Sequence, residues 1–205
     1  MSGLVADVRP LLGPIRDQGR RPTCLAFALS CGHRGSRAFV ADFSAEGLHS
    51  HAAQSIGQAL DQAVPVSAAL ATLSEPGQVE ESAWPYGAAG TATAGAAHYK
   101  ALGSPFAFDS TKLEAALLSG TPVVAGLEIA ADFFHAKTET LVSPASPIQA
   151  RHAVLIVGLR PGTTGQEYLI RNSWGSRWAD AGHAWLHENY LSQTGIFFLT
   201  LKGVD

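Results

Sequence analysis

The hydrophobic pattern of this chain changes near its middle, and the change limits the folds open to it. Between residues 24 and 73, apolar residues and alanines recur at helical spacing. In the second half they gather into β-type runs at 152–159 and 167–174, joined by a turn at 160–165 that contains Pro and Gly. A helical half followed by an antiparallel half predicts an α+β architecture, with any site in the groove between them.

The length of 205 residues, with 46% hydrophobic and 15% charged content, suits a single domain whose two lobes share a cleft. We expect a helical lobe over about 11–105 and a β-rich lobe over about 106–205. Two helices divided by Pro65 are predicted between 42 and 73, and the first of them should include Leu60.

Charge and hydropathy exclude two classes of partner. The net charge is -3, from 14 basic and 17 acidic residues without a Lys/Arg block, so neither nucleic acid nor an anionic membrane is an expected partner. No stretch approaches the roughly 20 apolar residues of a spanning helix, and residues 1–12 lack the pattern of a secretory signal. We therefore expect a soluble protein, cytoplasmic as synthesised, whose delivery elsewhere would need a route independent of a signal peptide.

Cys24 and Cys31 are the two cysteines of the chain. In one helix their Cα atoms would be roughly 10 Å apart, beyond the roughly 7 Å limit of a disulfide, so we expect free thiols, with Cys31 in the core. Thr23 fits an N-cap, and Gly32 and Gly35 are expected to end the helix. At its N-terminus, the helix dipole and a nearby imidazolium should lower the pKa of the Cys24 thiol, which makes Cys24 a candidate nucleophile.

The groups that such a thiol needs lie elsewhere in the sequence. His152 opens a predicted strand and Asn172 lies near the end of the next, so antiparallel pairing would bring the base and its orienting amide together. Trp174 would cover their hydrogen bond from water. Gln18, on the turn before Cys24, offers a side-chain N–H to an oxyanion beside the Cys24 backbone N–H.

Three parts of the chain resemble segments of the papain-like cysteine peptidases. They are residues 17–19 (DQG) with 23–28 (TCLAFA), 152–154 (HAV) and 172–175 (NSWG), with weaker similarity at 43–46 and 80–86. The resemblance implies a papain-like two-lobe fold and a cysteine endopeptidase that acts on proteins or peptides through an acyl-enzyme, with Cys24, His152 and Asn172 as the triad and Gln18 in the oxyanion hole. It implies no cofactor and no metal.

The chain also departs from this family. The family's Cys-Gly-Ser before the nucleophile and the Trp after it are replaced by residues 21–23 and Leu25, and its usual disulfide cysteines are absent, which favours a bacterial-type branch. Arg151 stands before His152, where the family often has a carboxylate or an amide. A neighbouring positive charge should disfavour the imidazolium and weaken activation of the thiolate.

Two other functions stay open on these residues: an acyl or peptidyl transferase with the same triad, and an inactive papain-like module that binds a protein. Few residues precede Cys24, which leaves no room for the inhibitory propeptide common in the family. Either the domain has been cut from a longer chain, or a separate inhibitor or immunity protein restrains it, as would suit a bacterial effector or toxin.

Four other histidines are not assigned to a site. His183 and His187 have i, i+4 spacing, but the glutamate of a zinc-protease motif is missing and the segment is predicted to be a strand, so we expect no metal there. His49 and His51 lie near a predicted helix start, and we expect both to face solvent.

Overall fold

The computed structural model describes residues 3–204, and its helices and strands confirm the α+β architecture. No helix in this part of the chain is long and apolar enough to cross a membrane. The elements in chain order are β1 (Ala6–Asp7), a 3₁₀ turn (Arg9–Leu11), α1 (Cys24–Arg37), α2 (Ala45–Ser55), α3 (Val66–Ser74), β2 (Lys100–Phe106), α4 (Ser110–Leu118), β3 (Val123–Ile129), α5 (Ala131–Phe134), β4 (Ala150–Pro161), β5 (Gln166–Arg171), β6 (His183–His187), α6 (Glu188–Thr194) and β7 (Gly195–Val204).

Across residues 3–204 the strands form one seven-stranded antiparallel sheet in the order β2-β7-β3-β4-β5-β6, with β1 added along β4. The long strand β4 pairs with β3 in its first half and with β5 in its second half. The β4–β5 hairpin closes at the predicted turn, where the Gly162 N–H donates to the Gly165 carbonyl at 2.7 Å. This hairpin fixes the two strands that carry His152 and lead to Asn172.

Alternating side chains of β4 divide the core between the two faces of the sheet. Ala153, Leu155 and Val157 pack with the helices α1 to α3. Val154 and Ile156 pack on the opposite face with residues of α4, α5 and α6. Because successive side chains of a strand point to opposite faces, a strand buried on both sides needs an uninterrupted apolar run.

Helix α1 lies against the sheet and continues past both glycines that were predicted to end it. An added Cβ at Gly32 would lie 3.2 Å from Val124 Cγ2, and one at Gly35 would lie 2.8 Å from Pro122 Cγ. The glycines therefore allow close packing. The helix ends at Arg37, and Ala38 adopts the left-handed conformation with φ 48°.

Two predictions in the helical half are wrong. Helix α2 ends at Ser55, and Leu60 lies in irregular structure beyond Gly57, whose φ is +66°. His49 is fully buried, with its Nε2 3.0 Å from the Leu60 carbonyl, and His51 is half-buried with its ring against Trp84. Leu60 in the irregular segment covers His49, and Trp84 covers one side of His51.

Candidate active site

Cys24 is the first residue of α1. The Thr23 hydroxyl before it does not cap the helix but lies 2.8 Å from the Tyr86 hydroxyl. The backbone N–H groups of Cys24 and Leu25, in the first turn, and of Ala153, in β4, act on the thiol and favour its charged form. The contact with Ala153 brings the start of β4 against the start of α1.

Burial nevertheless decides the charge of the thiol. It raises the pKa of Cys24, and the N–H groups of Ala153, Leu25 and Cys24 offset only part of this effect. The sequence predicted a lowered pKa, and the structure corrects that prediction, because loss of hydration outweighs the backbone dipoles. Burial therefore favours the neutral thiol before substrate binds.

His152 and Asn172 meet across neighbouring strands. The Ser173 N–H donates to Asn172 Oδ1 at 2.8 Å, which identifies that atom as the amide oxygen. His152 Nε2 lies 2.7 Å from the same oxygen and must donate to it, because an amide oxygen only accepts. The second nitrogen of the neutral imidazole, Nδ1, is then the one that can take up a proton.

Burial also keeps the imidazole neutral. It lowers the pKa of His152 to about 4, while the hydrogen bond to Asn172 acts in the opposite direction. The side chain of Arg151, which was expected to oppose the imidazolium, is 77% exposed and lies 3.5 Å from Glu128. Water and this carboxylate screen its charge, so burial is the main cause of the lowered pKa.

Aromatic rings line one side of the imidazole. The Trp174 ring centre lies 4.5 Å from that of His152 at an interplanar angle of 34°. Phe133 approaches His152 at 6.0 Å, Phe134 stacks on Trp174 at 5.4 Å, and Trp178 meets Trp174 edge-on at 5.7 Å. This apolar wall accounts for the loss of hydration that lowers the pKa of the imidazole.

Gln18 is buried and bound to the segment that follows Asn172. Its backbone N–H donates to the Ser173 carbonyl at 2.8 Å, and the Ser173 hydroxyl donates to Gln18 Oε1 at 2.6 Å. Gln18 Nε2 donates to the Arg21 carbonyl at 2.8 Å. The side-chain amide is thereby held in one orientation, with one of its two N–H bonds left for a further acceptor.

Cys31 lies on α1 as predicted and packs against the core, and both cysteines are free. It lines a cavity of about 30 Å³ together with polar groups that include Arg16, Asp42 and Asn172. Burial raises the pKa of the Cys31 thiol. Cys31 is thus a thiol that packs against the core and that burial keeps neutral.

The structure therefore brings His152, Asn172 and Trp174 together, ties Gln18 to Ser173 and sets Cys24 against the residue that follows His152. A thiol at a helix N-terminus, an imidazole oriented by an amide and a fixed side-chain amide donor are the groups that attack on an acyl group needs. A model of the papain family of cysteine proteases matches residues 6–197. The chain belongs to this family.

Solved papain-family proteins have the same fold. Xylellain, a cysteine protease from Xylella fastidiosa, superposes with a TM-score of 0.81 at 22% identity, over 98% of this chain and 86% of that one. The bromelain protease from Ananas comosus, determined with the E64 inhibitor, gives 0.74 at 19% identity, over 96% and 97% of the two chains. At these identities the likeness concerns the fold.

Sequence relatives match over shorter segments. Ananain from Ananas comosus is 29% identical over 80 residues, which make up 38% of this chain and 23% of ananain. Digestive cysteine proteinase 3 from Homarus americanus is 41% identical over 51 residues, 25% of this chain and 16% of that protein. The matched segments span less than a quarter of either relative.

Two residues of this papain-family site were not predicted from the sequence. Ser173 orients both amides, through its N–H to Asn172 and its hydroxyl to Gln18. Tyr86 donates from its hydroxyl to the Gln18 carbonyl at 2.7 Å. Both lie inside segments that resemble the family, but a serine after an asparagine, or a tyrosine in a turn, indicates no partner until the chain is folded.

Proposed function

We propose that this papain-family protein is a cysteine endopeptidase that hydrolyses peptide bonds in protein substrates. The observation that carries the proposal is the 2.7 Å bond from His152 Nε2 to Asn172 Oδ1, since it leaves Nδ1 as the basic nitrogen. We assign Cys24 as the nucleophile because it is the first residue of α1 and the N–H of Ala153, next to His152, favours its charged form. The family match supports the reaction class.

In the acylation step, Cys24 Sγ attacks the carbonyl carbon of the scissile bond while its proton passes to His152 Nδ1. The carbonyl oxygen becomes an oxyanion, which accepts from the Cys24 backbone N–H and from the unused N–H of Gln18 Nε2. The C–N bond then breaks, and His152 Nδ1 returns the proton to the departing amine. The product is a thioester on Cys24.

Deacylation repeats these steps with water. His152 Nδ1 removes a proton from the water as its oxygen attacks the thioester carbonyl, and the same two N–H groups bind the second oxyanion. The C–S bond breaks, the proton returns to the Cys24 sulfur and a carboxylic acid leaves. These steps use only groups of the chain, substrate and water.

The neutral resting pair shapes this mechanism. Burial raises the pKa of Cys24 and lowers that of His152, so a separated thiolate and imidazolium are disfavoured before substrate binds. Proton transfer accompanies attack, when the oxyanion donors are already in place. Asn172 stabilises the imidazolium that forms and prevents rotation of the ring.

A transferase would share the acyl-enzyme but resolve it with an amine. The two reactions separate when a peptide ester is offered together with an amino-acid amide: a peptidase releases mainly the acid, whereas a transferase releases mainly the amide product. An inactive module would give neither product. The match to the family of cysteine proteases supports water as the acceptor, and hydrolysis is our conclusion.

Sequencing of new protein N-termini after incubation with a protein mixture tests activity and cleavage preference together. We expect new N-termini with the wild type and none with Cys24→Ala, which should remain folded because it only truncates a small side chain. Equal cleavage by the two proteins would overturn Cys24 as the nucleophile. A folded wild type that yields neither cleaved protein nor ester turnover would overturn the peptidase.

The E64 inhibitor found with bromelain gives a test that needs no substrate. Mass spectrometry should find one adduct on the wild type and on Cys31→Ala, and none on Cys24→Ala, which keeps the second thiol. An adduct on Cys31 would contradict its assignment as a core thiol.

Three expectations from the sequence stay predictions. They are restraint by an inhibitor or immunity protein, a role as an effector or toxin, and the route of delivery.

A further inference from the structure

The hydroxyl of Tyr86 joins the two ends of the loop that leads to the nucleophile. It donates to the Gln18 carbonyl at 2.7 Å. Its single proton is then used, so the hydroxyl of Thr23, 2.8 Å away, must donate to the Tyr86 oxygen. Gln18 carries the proposed oxyanion amide and Thr23 directly precedes Cys24. One phenol oxygen therefore links Gln18 to Thr23, the residue before Cys24.

The tyrosine is itself held on several sides. Its ring meets the edge of Phe27 at 4.7 Å and an interplanar angle of 79°. The Arg21 guanidinium lies 5.0 Å from the ring centre. The Tyr86 backbone N–H donates to Glu81 Oε1 at 2.7 Å. With its ring and backbone restrained, the hydroxyl has little freedom to move away from Gln18 and Thr23.

A partly buried ion pair supports the middle of the same loop. Arg21 donates to both carboxylate oxygens of Glu46, with Nη2 2.9 Å from Oε1 and Nη1 bound to Oε2. The Glu46 side chain is only 5% exposed, and its Oε2 also accepts from the Gly87 N–H at 2.8 Å. The ion pair thus holds Arg21, whose carbonyl accepts from Gln18. Because Gly87 follows Tyr86, it also holds the turn that contains the tyrosine.

Burial raises the pKa of Glu46, but the hydrogen bonds from Arg21 and Gly87 lower it more, so that the net shift is downward. The pKa of Arg21 is raised by the same bond. Both groups are therefore charged at neutral pH. Two parallel hydrogen bonds between the planar guanidinium and carboxylate fix both the distance and the orientation of the Arg21 side chain. This restrains the loop between Gln18 and Cys24.

We propose that Tyr86 is a positioning residue for the oxyanion hole, acting through Gln18 and supported by the Arg21–Glu46 pair. The proposal rests on the peptidase function above. It differs from a purely structural role in one respect: loss of the hydroxyl should weaken the steps that form an oxyanion while the thiol and its base continue to react normally.

Tyr86→Phe tests this role, because it removes the hydroxyl and keeps the ring that packs on Phe27. We expect kcat for a peptide substrate to fall about tenfold with KM changed less than about twofold. Alkylation of Cys24 by iodoacetamide forms no oxyanion and should keep its wild-type rate. Tyr99→Phe is the matched control, because that hydroxyl lies 3.3 Å from Glu80 and belongs to no bond of this loop. It should be fully active.

A double-mutant cycle with Gln18→Ala shows whether the tyrosine acts through the amide. Gln18→Ala should lower kcat by about 10² to 10³, and Tyr86→Phe should add little in that background. If the fold-losses in kcat of the two single variants multiply in the double variant, the proposal is overturned. It is also overturned if Tyr86→Phe keeps the wild-type kcat, or if its rate of alkylation falls as much as its kcat. If Tyr86→Phe does not fold, Thr23→Val removes the other hydroxyl of the pair. It should lower kcat by a smaller factor and leave the rate of alkylation unchanged. An unchanged kcat in Thr23→Val would also contradict the proposal.

The two proposals fail in different ways. If the wild type turns over no peptide, the peptidase function is overturned, and with it the role of an oxyanion hole. If the wild type is active and Tyr86→Phe matches it in kcat, only the positioning role of Tyr86 is contradicted.

Discussion

Within residues 3–204, two buried imidazoles are hydrogen-bonded to side-chain amides, and we propose that one of them is the base for Cys24. His33 Nδ1 lies 2.9 Å from Gln78 Oε1, and His152 Nε2 lies 2.7 Å from Asn172 Oδ1. Burial lowers the pKa of each histidine to about 4, and the amide opposes the shift in each. By burial, hydrogen bond and pKa the two pairs look alike.

The second nitrogen separates them. His33 Nε2 accepts from Arg37 Nε at 3.2 Å, and the ring stacks on Phe43 at 4.2 Å, so both nitrogens are used inside the fold. For His152 the bond to Asn172 uses Nε2, and Nδ1 is the nitrogen we assign to the Cys24 thiol. A lowered histidine pKa therefore indicates burial. It indicates a catalytic role only when one ring nitrogen is free to bind a reacting group.

The largest contrast should come from removing each histidine. His152→Ala should lower kcat/KM by about 10⁴-fold with the fold retained, because it removes the base. His33→Leu should leave kcat of the folded protein unchanged and lower the free energy of unfolding by about 2 kcal/mol, since Gln78 loses its partner. Steady-state kinetics and urea unfolding measure both variants. A lower kcat in folded His33→Leu would contradict the assignment of His33 as a structural histidine.

Removing each amide should give the same contrast at smaller size. Asn172→Ala frees the ring to rotate, and kcat should fall about a hundredfold. Gln78→Ala removes bonds to His33, Ser30 and Ser44, so the free energy of unfolding should fall by about 2 kcal/mol while kcat is unchanged. If Asn172→Ala retained full kcat, the orienting role of that amide would be excluded.

Per pH unit, the smallest effect is on the pH dependence of stability. An unfolded histidine has a pKa of about 6.5, above the folded value of about 4, so the unfolded state binds more protons between these values. Stability falls as the pH is lowered through this range, by up to about 1.4 kcal/mol per pH unit for each histidine. Urea unfolding of His33→Leu should show a slope smaller by about that amount. An unchanged slope would mean that His33 does not resist protonation in the folded protein.

Local patterns were sufficient for much of the fold. The apolar run of β4 and the Pro/Gly turn after it predicted the hairpin, because strand pairing and turn chemistry depend on neighbouring residues. The ends of helices were less predictable. Gly32 and Gly35 resemble helix terminators in sequence, but a glycine inside a helix is also what allows close approach to a sheet, and the sheet is distant in sequence.

The resemblance of three short segments was enough to select Cys24, His152, Asn172 and Gln18 as site candidates, because each residue type suits one chemical task. Tertiary structure decided the charge states of the thiol and the imidazole, since burial depends on every element packed around them. It also decided that Tyr86 donates to the Gln18 carbonyl and that Asn172 binds only one nitrogen of the His152 ring. A hydrogen bond between residues far apart in the chain exists only once the folded backbone has brought them within about 3 Å of each other.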